Sequence, residues 1–404
     1  MHLTDPTSLP QQSSGNQVLA RLEVAGQEFT LFEDSPSLIA AMVADIKAAK
    51  TRVWMESYIF AADAAGRAVA AALAERAEAG LDVRLMVDAW GSFSTPTALF
   101  NQLRAVGVKV HVFHALGEAI YHRLKFLQVL NQRNHRKLLV IDSQIAYFGG
   151  MNVVDQSGIH STADARRRHL PPSAGWRDVH VRLVGSQQAE IAAACEQLWK
   201  RVHRQRRAKQ PRWPVQQILQ TTRDAIFFFD SRPTFKYRRP QRILIPLIRQ
   251  ARHEVTLAVA YFVPVGSLLR ELLKARNRGV RVQIIVPGKS DVKLVQWATR
   301  HVYEFLLKRG IRIYERKDRM LHSKVLVVDG CWSVIGSCNL DARSLRLNLE
   351  CFALVHATPL AAALSQICQQ EMRDSVRVSA AHCRRRPWWQ RLLNRTAWAM
   401  RKWL

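Results

Sequence analysis

Hydrophobic and polar residues along this chain follow two periods that alternate in a fixed order. Val53-Trp54-Met55-Glu56-Ser57-Tyr58-Ile59-Phe60 reads as a strand, an alanine-rich helical stretch runs on to Gly80, and Leu81 to Val87 reads as a second strand. The second half repeats the order with Val255 to Val263, a helical stretch to Gly279, and Val280 to Val286. A third short strand follows in each half, at Gly107-Val108-Lys109-Val110 and at Gly310-Ile311-Arg312-Ile313. The offset is 203 residues both from Tyr58 to Tyr261 and from Gly107 to Gly310. A register kept over such a distance marks a duplication. Alternating strands and helices predict α/β layers in each half, with helices on a largely parallel or mixed sheet.

The halves are joined by Arg201 to Arg242, whose charges and prolines predict an exposed connection; within it, Ala225 to Phe229 predicts the strand that opens the second half. The expected organisation is a loose extension over 1–29, a first half over 30–214, a second half over 215–380 and a basic tail over 381–404. A chain of 404 residues suffices for two domains that each bury a core. Met1 to Arg21 lacks the apolar run of a secretory signal. The 15-residue uncharged stretch Val255 to Leu269 is too short to span a bilayer and is broken by Pro264 and Gly266. Six cysteines without a Cys-x-x-Cys pair are expected to be reduced and mostly buried, in a protein that folds in the cytoplasm. Charge changes the picture more. Sixty Lys and Arg against thirty-two Asp and Glu give a net charge of +28, which attracts polyanions and leaves both nucleic acid and anionic lipid open as partners.

Each half carries the same polar string. His135-Arg136-Lys137, four apolar residues, Asp142 and then Gly149-Gly150-Met151-Asn152 are matched by His322-Ser323-Lys324, four apolar residues, Asp329 and Gly336-Ser337-Cys338-Asn339, at a constant offset of 187. On a strand, residues two apart share a face, so each imidazole stands beside an ammonium. The glycines let the backbone approach a ligand, and the asparagines add amide donors. A cation and amides around an imidazole suit a phosphate oxyanion. Two such sets supply one histidine as nucleophile and another as proton donor. Asp142 and Asp329 complete the motif and enter the candidate site with it. Four strand residues separate them from the lysines, so structural hydrogen bonds are expected from them.

This duplicated His-x-Lys-x4-Asp-x6-Gly-[Gly/Ser]-x-Asn string resembles the signature of the phospholipase D superfamily over residues 30–375. The resemblance implies two tandem α/β/α sandwich halves with one active site on their pseudo-twofold interface. It implies a covalent phosphohistidine on one histidine, with a lean to His135, and protonation of the leaving alcohol by His322. Lys137, Asn152, Lys324 and Asn339 would hold the phosphate, with Ser337 beside them, and no metal or other cofactor would be required. It further implies acids downstream that orient the histidines, for which Asp178 lies 43 residues after His135 and Glu350 lies 28 after His322. Within the superfamily, Glu56-Ser57-Tyr58-Ile59-Phe60, Ala260-Tyr261-Phe262-Val263-Pro264 and Ser344-Leu345-Arg346-Leu347-Asn348-Leu349-Glu350 look like the bacterial cardiolipin synthases, especially the B type. That implies transfer of a phosphatidyl group from phosphatidylglycerol to a lipid alcohol with release of glycerol. The alternative is a hydrolase or nuclease of the same superfamily.

The carboxyl terminus bears on this choice. Arg384 to Leu404 holds seven basic residues and no acidic one. A helical projection gathers Trp388, Trp389, Leu392, Leu393, Ala397, Met400, Trp403 and Leu404 on one side and Arg391, Arg395 and Lys402 on the other. This is the pattern of an interfacial helix on an anionic membrane surface. Together with the resemblance it leads to the expectation of a protein bound peripherally at the cytoplasmic face of a bacterial membrane, with phospholipid as substrate and no nucleic acid as partner.

Overall fold

The computed structural model describes residues 18–114, 132–155, 175–203, 212–221, 224–231 and 238–401. In the first half, strands β1 (Val18–Val24), β2 (Gln27–Phe32), β3 (Arg52–Ser57), β4 (Asp82–Asp88), β5 (Lys109–Phe113), β6 (Leu138–Ile141), β7 (Ile145–Gly149) and β8 (His180–Val184) form one sheet in the order 1-2-8-7-6-3-4-5. In the second, β9 (Ala225–Asp230), β10 (Glu254–Val259), β11 (Arg281–Pro287), β12 (Arg312–Arg316), β13 (Lys324–Val328), β14 (Trp332–Gly336), β15 (Cys351–His356) and β16 (Ser375–Arg377) run in the order 16-12-11-10-13-14-15-9. Both sheets are mixed. The runs β3-β4-β5 and β10-β11-β12 are parallel because helices cross over between them, whereas β6-β7-β8 and β13-β14-β15 are antiparallel, with tight turns joining β6 to β7 and β13 to β14.

The duplication is thus structural as well as sequential, though each sheet carries an addition of its own. In the first half it corrects the sequence reading. Val18–Val24 is a full strand paired antiparallel with β2, so the expected loose extension over 1–29 gives way to sheet edge from Val18 on. The segment Ala225–Phe229 does open the second sheet, lying against β15.

Helices cover each sheet on its outer face, with Leu38, Met42, Val69 and Leu73 buried over the first and Leu244, Leu268, Leu272 and Leu306 over the second. The inner faces meet in a single cluster. Phe148, Val181, Val325 and Ala353 from the two sheets pack there with Ile191 of the helix Gln188–Val202 and Leu364 of the helix Thr358–Arg373. Each half therefore closes a core of its own under its outer helices, as its length allowed, and a third core between the two sheets belongs to both. At about 25 cal/mol per Å² of apolar surface, that joint burial fixes one half against the other.

Candidate active site

Both histidines lie just ahead of a strand: His135 and Lys137 immediately precede β6, His322 precedes β13, and Lys324 begins it. The intervening residue of the first motif turns the other way, and Arg136 pairs with Glu56 at 2.5 Å, both buried. Four strand residues then carry the chain away. Asp142 lies at the far end of β6, accepting backbone N–H bonds from Lys50, Thr51 and Arg52. Asp329 repeats this with Arg252, His253 and Glu254, each at 2.8 Å. The two aspartates named with the motif therefore leave the site: they fasten the starts of β3 and β10.

The lead-in to each histidine pairs with the opposite half. His135 N–H donates to the Leu349 carbonyl (2.9 Å), and His322 N–H donates to the Arg177 carbonyl (2.7 Å). The next residue in each acceptor strand is the acid. Glu350 Oε2 stands 3.0 Å from His135 Nδ1, and Asp178 Oδ2 stands 2.6 Å from His322 Nδ1. Each half thus lends its carboxylate to the other half's histidine. With Nδ1–H donated to a carboxylate, Nε2 carries the lone pair.

The two carboxylates are seated differently. Glu350 is fully buried and accepts from the Ser337 hydroxyl, which also accepts from Cys351 N–H (3.1 Å). Ser337, expected beside the phosphate, is instead spent holding Glu350. The matching position is Gly150, where a Cβ would fall 2.1 Å from Asp178 Oδ1; the aspartate fills the room a side chain would need.

Burial lowers His135 to about 4, against the pull of Glu350. His322 is also lowered, by burial and then by Lys324, whose Nζ lies 2.6 Å from His322 Nδ1. Lys137 falls to about 7, chiefly by burial, and donates to the His135 carbonyl (2.8 Å). Asp178 stays below the ordinary carboxylate value: burial would raise it, but Lys324 and His322 outweigh that. The resting site therefore holds two neutral imidazoles beside two buried lysines.

The two histidines border one cavity of about 600 Å³, which Asn152 and Asn339 line with them. Ile59 N–H donates to Asn152 Oδ1 (3.1 Å), which leaves the amide NH2 as donor. Asn339 is 1% exposed and its Oδ1 has no partner among the described residues. The sequence motif missed the walls. Tyr58 packs against His135 and Trp176 against His322, each with ring centroids 4.9 Å apart, and Tyr261 stands 6.4 Å from His322. The shared offset of Tyr58 and Tyr261 was the available signal, since the same residue follows the equivalent strand in both halves. Arg133, Asp291 and Arg343 also line the cavity and had no such signal. Among the described residues no group of three or more His, Cys, Asp or Glu side chains could hold a metal.

The family described as cardiolipin synthase, PLD-like domain, matches residues 42–163 and 244–372, one segment for each motif. The chain belongs to the phospholipase D-like cardiolipin synthase family. Cardiolipin synthase A of Serratia proteamaculans (strain 568) is 31% identical over 92% of this chain and 74% of its own length. Cardiolipin synthase B of Escherichia coli (strain K12) is 30% identical over 90% of this chain and 85% of its own length. In fold, the chain is similar to the crystal structure of phosphatidylserine synthase from Haemophilus influenzae Rd KW20, with a TM-score of 0.65 at 13% identity over 93% of this chain and 95% of that one.

Proposed function

We propose that this enzyme takes a phosphatidyl group from phosphatidylglycerol and passes it to a second lipid alcohol, forming cardiolipin when that alcohol is another phosphatidylglycerol. The exchange of carboxylates between halves carries the reading, because it presents both histidines, tautomer fixed, to one cavity. In the first step one imidazole Nε2 attacks phosphorus and the P–O bond to glycerol breaks. The other imidazole, protonated, gives its proton to the departing oxygen. In the second step that ring takes the proton back from the incoming hydroxyl, a new P–O bond forms and the P–N bond breaks. Lys137, Lys324, Asn152 and Asn339 hold the non-bridging oxygens. The resemblance favours His135 as the attacking ring. Lys324, close against His322 Nδ1, opposes protonation there until an anionic phosphate offsets its charge.

Each methylene drawn into water costs about 0.8 kcal/mol, so a lipid keeps its chains in the bilayer and offers only its head group. The cavity mouth then has to meet the membrane. Trp90 and Val292, which line the cavity, are 64% and 38% exposed, and Phe93 and Leu294 beside them are 75% and 39% exposed. Apolar residues set in a strongly basic protein fit an anionic lipid surface, and no helix among the described residues is long and apolar enough to cross one. We place the enzyme peripherally on the cytoplasmic face of a bacterial membrane.

Purified protein incubated with labelled phosphatidylglycerol vesicles is expected to yield cardiolipin and glycerol, with and without a strong chelator. Mostly phosphatidic acid would make it a lipid hydrolase, and DNA cleavage without lipid turnover would make it a nuclease. His135→Ala and His322→Ala should each lower turnover by roughly a thousandfold or more with the fold intact.

A further inference from the structure

Joining two anionic lipids brings two phosphodiesters together, while the paired Lys and Asn side chains serve the one that is transferred. A second phosphate in the same low-dielectric cavity is repelled by the first unless other cations meet it. The cavity does carry two arginines that belong to neither motif, Arg133 and Arg343, together with Asn348.

Backbone bonds gather these three residues. Leu349 N–H donates to the Arg133 carbonyl (2.8 Å), and Asn348 N–H donates to the Arg343 carbonyl (2.9 Å). They belong to the same crossing of the halves that sets Glu350 on His135. Arg133 is held in place, with a guanidinium nitrogen 3.9 Å from the Asp88 carboxylate and its centre 5.8 Å from the Trp90 ring centroid. Both guanidinium charges act on the Tyr58 phenol, whose ring lies against His135. Asn348 is 7% exposed, and its side-chain carbonyl has no hydrogen-bond partner among the described residues. A buried amide left unmatched is costly, and a ligand group that pairs with it recovers that cost.

We propose that Arg133, Arg343 and Asn348 form a second head-group subsite that takes the phosphodiester and a free hydroxyl of the acceptor lipid. It rests on the transfer reading, since hydrolysis would give it nothing to bind. The arginines offer planar donor forks to phosphate oxygens, and the Asn348 amide pairs with a hydroxyl. Of the two aspartates lining the cavity, Asp291 accepts from the Tyr261 hydroxyl (2.6 Å), and Asp341 accepts from Ser344 N–H (2.7 Å) and is drawn on by the Arg343 charge. The subsite therefore favours an acceptor that carries both an anionic phosphodiester and a hydroxyl over a neutral alcohol.

Competition between acceptors tests it. Full-length protein on phosphatidylglycerol vesicles containing ethanol makes cardiolipin and phosphatidylethanol from one shared intermediate. Their ratio, taken within each variant, reports acceptor choice independently of total activity. Arg343→Ala is expected to lower the cardiolipin share about tenfold or more, the usual worth of a charge-assisted hydrogen bond. Arg343→Lys should lower it less, and Asn348→Ala several-fold. If Arg343→Ala does not fold, the other two variants give the same reading. An unchanged ratio in the folded variants overturns the subsite. Wild-type protein that makes phosphatidic acid alone overturns the transfer reading instead, so the two failures are distinguishable.

Discussion

His135 and His322 do similar work in unlike surroundings. His135 faces a glutamate steadied by a serine, whereas His322 faces an aspartate packed against a glycine and has a lysine at its Nδ1. Burial keeps both rings neutral, with His135 at about 4, and brings Lys137 down to about 7. The attacking imidazole must be neutral, the lysine must be charged to hold the phosphate, and the second imidazole takes up its proton only once that phosphate is bound. Turnover is therefore lost on the acid side as pH falls through about 4, and on the alkaline side as pH rises through about 7. Measured as kcat/KM on a soluble phosphodiester, the alkaline limb should fall about tenfold per pH unit. Lys137→Arg, which keeps its charge, should move that limb upward. A level profile to about pH 9 would show that the Lys137 charge is not required there.

At the scale of the strand, the motif joins two tasks that look like one in sequence. His and Lys stand at one end of β6 or β13, and the aspartate closes the other end. Asp142 and Asp329 adopt φ of 50° and 52°, a conformation that Asp and Asn tolerate better than most residues. Asp329→Ala removes the acceptor for three N–H groups and strains the turn, at a cost of about 1–3 kcal/mol. Asp329→Asn should cost less. Thermal unfolding is expected to show that order, while kcat on a soluble phosphodiester changes less than about twofold. A large loss of kcat without loss of stability would return the aspartate to the site. The repeat and the succession of strands and helices along the chain were legible from residue periodicity. The added edge strand Val18–Val24 was missed because its polar neighbours masked a short amphipathic strand that needs β2 as a partner.

At the scale of the whole molecule, the tail is neither free nor wholly docked. The helix Trp388–Ala399 buries Ala397 and Asn394, and Trp398 stacks on His301 at 5.6 Å. Ala397 packs with Val263, Val295 and Ala298, so part of the face drawn for lipid in the projection is turned inward. Trp388, Trp389, Leu392 and Met400 remain 44–73% exposed; Lys402, Trp403 and Leu404 lie outside the described residues. Deleting the tail would uncover core beside the cavity, which makes outward substitutions the cleaner test. Trp388→Ser with Trp389→Ser should weaken sedimentation with anionic vesicles by about tenfold or more. Activity on a soluble phosphodiester should be retained. Equal sedimentation would leave the helix a structural role alone.

The sequence by itself determined the duplication, the α/β layering and the chemical pair of each motif, because these depend on local periods of two and 3.6 residues and on spacing along one strand. The tertiary structure alone decided which carboxylate serves which histidine. Asp178 lies 144 residues from His322 and Glu350 lies 215 from His135, and only the core shared by the two sheets brings them together. It likewise sent Ser337 to Glu350 and set Arg133 beside Asn348, since contacts across a pseudo-twofold leave no period in the chain.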